Sequence, residues 1–156
     1  DCPLHLGVTE AGTERMGIIK SSASLWALLC VGIVDTIRVS LTADPVREVY
    51  AARDLLAALG FERSRVQFVS CPTCGRCRVD LFRIAEEAEQ ALAAVHKDIK
   101  VAVMGCAVNG PGEAADADIG IAGGNGEFLF FAKGKPLYKV SPEQVINTLL
   151  DEVEKL

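Results

Sequence analysis

Basic charge, histidine and long apolar runs are all scarce in this chain. Its net charge of -5 sets nucleic acid aside as the main partner, although local basic spots can still bind phosphate. The longest apolar stretch, 25–34, is broken only by Gly32 and is too short to span a bilayer, so no membrane partner is expected. No signal peptide opens the chain, no internal repeat is present and no segment is low in complexity. Of the 2 histidines, His96 falls near an expected helix end among charges, facing solvent. His5 lies on an expected strand, with nothing to decide what it faces.

A disulfide framework is also missing. The 6 cysteines are Cys2, Cys30, Cys71, Cys74, Cys77 and Cys106. A small secreted scaffold spreads paired cysteines through loop-rich sequence. Here three crowd into 71–77, and others sit in apolar segments, which suits a reduced cytosolic setting. At 156 residues, half of them hydrophobic, the chain has length for one domain, or for a small domain plus part of another. It opens on Asp1, not Met, directly before a strand-like segment, and reads as a processed, truncated or engineered piece.

Two strand-plus-helix units come first. A strand is expected over 4–8 and an apolar helix over 14–31. A second strand is expected over 35–41. Asp44 and Pro45 then open a helix as N-cap and first helical residue. Val46, Val49, Tyr50, Arg53, Leu56 and Leu59 recur at helical spacing, with Gly60 as the stop. Such alternation implies parallel strands with crossover helices. An eight-unit barrel takes roughly 250 residues, so two units are only part of one.

Beyond 62 the chain looks self-contained. Strands are expected over 66–70, 100–104, 118–122 and 128–132, the last two joined by a glycine-rich hairpin turn. An amphipathic helix over 79–97 carries Leu81, Ile84, Ala88, Leu92 and Val95 on one face. Ser141-Pro142-Glu143-Gln144 reads as a capping box before a last helix that buries Val145, Leu149 and Val153.

The chemistry concentrates at two strand ends. Cys71-Pro72-Thr73-Cys74 has the two-residue gap that lets one tight turn aim both sulfurs at a metal. Cys106 follows a later strand, and Glu113 lies past the Gly110-Pro111-Gly112 bend. Carboxyl ends of strands are where open α/β sheets place their sites. On its own the Cys71/Cys74 pair is open to metal binding, to a thioredoxin-like dithiol or to chance. Adding Cys106 and Glu113 gives three thiolates and a carboxylate, a set that can hold an iron–sulfur cluster with one exchangeable hard ligand. Cys77 resembles part of a ferredoxin run but has no fourth cysteine after it; it reads as a spare thiol at a helix start. Cys30 reads as a small core residue.

The motifs Cys71-Pro72-Thr73-Cys74-Gly75-Arg76, Val101 to Glu113 and Ala117 to Gly124 resemble 4-hydroxy-3-methylbut-2-enyl diphosphate synthases. So do His5 to Gly12 and Asp35 to Leu41. The resemblance covers essentially the whole chain, but only the C-terminal part of the family's full-length protein. It implies an α/β chain with an α+β C-terminal domain. Residues 1–62 would be two βα units from the end of a TIM-type barrel, and 63–156 a small iron–sulfur domain of sheet plus helices. The family reductively opens 2-C-methylerythritol 2,4-cyclodiphosphate in the non-mevalonate isoprenoid pathway.

Carried over by motif, the ligands of a [4Fe–4S] cluster would be Cys71, Cys74, Cys106 and Glu113. Glu10 matches a proton donor to the departing hydroxyl, although alone it reads as a helix N-terminal acid. Arg38 and Ser40 match substrate-contacting positions, two apart on a strand, with Asn109 a further substrate contact. Lys20 could reach phosphate, but reads more simply as an exposed helix lysine. The resemblance also implies reduced ferredoxin or flavodoxin as electron donor, a homodimer, and the bacterial cytoplasm, or the plastid in a plant or alga.

The chain departs from the family in places. Most of the barrel is absent. Ser24, Trp26 and Val34 stand near positions where the family has glycine, and Val31 near an acid, giving an unbroken apolar segment over 25–31. The expectation is a piece that binds a cluster, self-associates through its apolar surface, and does not turn over substrate alone. Two rival readings keep the same cysteines. One is a zinc-stabilised structural module; the other is a thiol–disulfide oxidoreductase using Cys71 and Cys74, for which Cys106 and Glu113 are dispensable.

Overall fold

Two short parallel strands and two helices make up the first part of the chain. The structure is a computed structural model and describes residues 2–156. Contacts divide the chain into two compact units, Asp1–Arg63 and Ser64–Leu156. The first contains β1 (His5–Gly7), α1 (Glu14–Cys30), β2 (Thr36–Arg38) and α2 (Pro45–Ala58). β1 and β2 pair in parallel, Leu6 opposite Ile37. Asp44 caps α2 through its carboxylate, which accepts from the Val46 amide at 2.9 Å, with Pro45 at the first turn. Gly60 ends the segment at a φ of 76°.

Both strands are shorter than the sequence suggests, and the helices bury less. On α1 only a stripe of every fourth residue is buried, namely Gly17, Ser21, Leu25 and Leu29. Trp26 and Val31 of the apolar segment are 56% and 65% exposed. Cys30, expected in the core, is exposed. On α2 the buried residues are Ala51 and Leu55, while Val46, Val49 and Tyr50 stay exposed despite their helical spacing. A two-stranded sheet is narrower than the apolar faces of its helices, so the spacing marks more surface than the unit covers.

The second unit is a mixed five-stranded sheet in the order β3-β4-β5-β6-β7. β3 (Gln67–Ser70), β4 (Lys100–Met104) and β5 (Ile119–Gly123) run parallel; β6 (Phe128–Ala132) and β7 (Lys135–Val140) continue it antiparallel. α3 (Leu81–Leu92) and α5 (Val145–Lys155) cover one face, burying Ile84, Ala88, Leu149 and Val153 against Val101, Val103, Ile121 and Phe130. Strand alternation sends Ala102, Met104 and Ala122 to the other face with Phe131, beside the short α4 (Gly110–Glu113). Gly120 is directly opposite Phe131, and a Cβ there would lie 2.4 Å from the phenyl ring. The missing side chain is the space the ring fills.

Three details differ from the sequence expectation. α3 starts at Leu81, not Val79, because the Asp80 carboxylate caps it by accepting from the Arg83 amide. It stops at Leu92, and Lys97 instead donates to the Val153 and Glu154 carbonyls at the end of α5. α5 begins at Val145 with no side-chain cap, so the expected capping box is not formed. The Ser141 hydroxyl still binds the Glu143 carboxylate, which lies below its ordinary pKa mainly through its own backbone hydrogen bond. β7 has no counterpart among the expected strands. It is an edge strand reached by a Lys133-Gly134 turn with φ values of 49° and 75°, and it carries Pro136 and two lysines. Among the described residues, no helix is long and apolar enough to cross a membrane.

Candidate functional site

β3 and β4 are neighbours in register, Ser70 opposite Val103, so whatever follows each strand emerges side by side. Cys71 follows β3 directly, and Gly105-Cys106 follows β4. The Cys71 amide donates to the Val103 carbonyl at 3.4 Å, extending the ladder by one bond. The Gly105 amide donates to the Cys71 sulfur at 3.2 Å. A Cβ on Gly105 would lie 2.9 Å from the Cys77 sulfur, so a larger residue would have to displace that thiol.

Cys74 sits at the tip of the first loop, exposed, with its carbonyl accepting from the Cys77 amide at 2.9 Å. The second loop returns through α4. The Gly110 amide donates to the Cys106 carbonyl at 3.0 Å and the Glu113 amide to the Asn109 carbonyl at 2.9 Å. The Asn109 side-chain amide reaches the Glu113 carboxylate at 3.5 Å, a long hydrogen bond. Cys71, Cys74, Cys106, Asn109 and Glu113 all line one cleft of about 180 Å³. Among the described residues, no three Cys, His, Asp or Glu side chains close on a single point tightly enough to hold one metal ion. The donors stand around a space instead.

Two further residues share that cleft, Arg76 and Cys77. Cys77 lies in the turn before α3, not at a helix start, and is partly buried with its thiol donating to the Val79 carbonyl at 3.3 Å. The C-x-x-C-x-x-C spacing was the signal for its place; its lack of a fourth cysteine concealed it.

Glu10, Arg38 and Ser40 belong to the first unit. Glu10 is exposed in the loop between β1 and α1, so it is not a helix N-terminal acid; Glu14 holds that place and pairs with Arg47. Lys20 extends from α1 back to the Glu10 carbonyl at 3.4 Å. Arg38 ends β2 and is exposed, while Ser40 lies two residues past the strand, half-buried, with buried Val39 between them. His5 shares a 2.8 Å hydrogen bond with the Thr36 hydroxyl across the β1–β2 pair.

Two family models match the chain. The GcpE protein C-terminal domain covers residues 67–155, and the GcpE TIM-barrel domain covers residues 1–53. A relative from Clostridium acetobutylicum is 57% identical over 154 residues. Relatives from Clostridium tetani and Geobacillus kaustophilus are 54% and 55% identical. All three are named 4-hydroxy-3-methylbut-2-en-1-yl diphosphate synthase (flavodoxin). The alignments take in 99% to 100% of this chain but only 42% to 44% of the relatives' length. With both domain models matched in order, and relatives above half identity along nearly its whole length, this chain belongs to the GcpE family.

Proposed function

We propose that this chain is the cluster-binding portion of an enzyme that reductively opens 2-C-methylerythritol 2,4-cyclodiphosphate. Residues 1–62 are then the closing part of the barrel, and 63–156 the reductase domain. The observation that carries the reading is the convergence of Cys71, Cys74, Cys106 and Glu113 on one cleft. A lone zinc ion needs its donors within about 2.3 Å of one point. Three thiolates and a carboxylate spaced round a cleft suit a larger body, a [4Fe–4S] cluster. The Gly105 amide on the Cys71 sulfur fits the same purpose, since hydrogen bonds to ligand sulfurs tune such clusters. When bound, the cluster supplies electrons and a Lewis-acidic metal.

The chain's own residues divide the remaining tasks. Asn109 steadies the Glu113 carboxylate, the one oxygen ligand and hence the exchangeable one. It also offers its amide to substrate. Arg38 suits bidentate binding of a phosphate oxygen pair, and Ser40 gives a short donor beside it. Glu10 serves as proton donor to the departing hydroxyl. Overall, two electrons and two protons enter, a ring carbon–oxygen bond opens and one water leaves. The electrons come from reduced flavodoxin, the donor in the relatives' names, or from a ferredoxin. The working form is a homodimer in the bacterial cytoplasm, or in the plastid of a plant or alga. By itself this length of chain binds the cluster without turning over substrate.

Cys106→Ser separates this reading from the dithiol one. The variant should lose bound iron when purified without oxygen. A Cys106→Ser chain with undiminished metal, or with thiol–disulfide exchange as its measurable activity, would remove the cluster reading.

A further inference from the structure

Cys106 borders two hollows, not one. Beyond the ligand cleft lies a second, of about 400 Å³, whose lining includes Ala107, Val108, Leu129, Arg78 and Lys139. Arg76 and Cys106 belong to both. Val108 projects from the loop after Cys106 and is 85% exposed. Lys139 is held by Glu127. Arg76 and Arg78 are exposed, and among the described residues their guanidinium groups have no ion-pair or hydrogen-bond partner. On a chain of net charge -5 they make a positive spot where the overall field is negative.

An apolar centre with free arginines beside it is the make-up of a small transient protein interface, in which arginine is enriched. A bare phosphate has no use for Val108 and Leu129. We propose that this second hollow is the docking surface for the electron donor, an acidic flavoprotein whose carboxylates meet Arg76 and Arg78 while an apolar residue packs on Val108. The proposal rests on the cluster reading, which makes Cys106 a ligand. A partner seated here is then one side chain from the cluster. Each visit passes one electron, the donor flavin leaves one electron poorer, and two visits supply the pair for one ring opening.

Calorimetric titration of oxidised flavodoxin into the anaerobically purified chain reads docking without any turnover. At low salt the chain should bind, and affinity should fall as salt rises. Arg78→Glu should weaken binding about tenfold or more, while Lys135→Glu, outside the hollow, should leave it unchanged. Circular dichroism and the unfolding midpoint show that the Arg78→Glu chain is folded. Absent binding by the unaltered chain, or equal affinity in Arg78→Glu, overturns the proposal. Iron content measured on the same samples keeps the two ideas apart. A chain without iron defeats the cluster reading, while the effect of Arg78→Glu on binding still decides the docking surface.

Discussion

The backbone amide of Gly105 donates to the sulfur of Cys71 at 3.2 Å, tying the loop after β4 to the loop after β3. Position 105 also leaves no room for a side chain in the present packing. A methyl there would meet the Cys77 sulfur at 2.9 Å and Leu81 at 3.2 Å. Gly105→Ala should therefore cost about 1–3 kcal/mol of unfolding free energy, as overpacking does. Urea denaturation measures it. The double variant Gly105→Ala/Cys77→Ala should recover part of the loss, because the two positions share one contact.

Gly120 and Phe131 form a second pair in which absence makes room. Phe131 is fully buried over Gly120, and Phe131→Ala should cost about 3–5 kcal/mol. Gly120→Ala should also destabilise. In the Phe131→Ala background, however, Gly120→Ala should cost much less, since the ring it strikes is gone. Additive losses in the double variant would contradict the packing described.

The Asn109 side chain reaches the Glu113 carboxylate through a 3.5 Å hydrogen bond. Asn109→Ala should lower iron affinity by about tenfold, the low end for a residue supporting a metal ligand. Glu113→Ala, which removes the proposed oxygen ligand itself, should cost more. Competition with an iron chelator ranks the two.

Tyr138 stacks on Phe130 at 5.2 Å, and its phenol is pushed up to about 12, first by burial and then by its hydrogen bond to Glu152. A folded pKa above the unfolded value of about 10 means the folded state holds the proton longer. The stabilisation is complete below pH 10 and is lost as pH rises from 10 toward 12. Partial exposure of the ring reduces its size. Alkaline unfolding followed by circular dichroism should show a fall over that window, and Tyr138→Phe should flatten it.

The first unit exposes Trp26, Val31 and Ile33, beside a sheet of only two strands. Apolar surface and unpaired strand edges of this kind associate. The chain should sediment as a self-associated species at high concentration, and Trp26→Glu should shift it toward monomer. A strictly monomeric unaltered chain would contradict this.

How far the sequence reveals the fold depends on what each signal measures. The α/β class follows from alternation, and strands such as those over 101–104 and 128–132 are marked by uninterrupted apolar runs that the sheet largely buries. The faces of α3 and α5 are legible because a five-stranded sheet covers their whole apolar stripe. α1 and α2 mislead for the converse reason, and Cys30 with them. β7 is hidden by Pro136 and its lysines, which argue against a central strand but are ordinary on an edge. In the site, the spacing of Cys71, Cys74 and Cys106 points to ligands, whereas the placing of Cys77 against Gly105 depends on a close approach that no spacing rule encodes.

The central claim is that Cys71, Cys74, Cys106 and Glu113 hold a cluster. Iron, acid-labile sulfide and zinc should be quantified per chain after purification without oxygen. About four irons and four sulfides, with little zinc, is the result expected of a [4Fe–4S] centre. Zinc alone, or no metal with an oxidised Cys71–Cys74 pair, would contradict it.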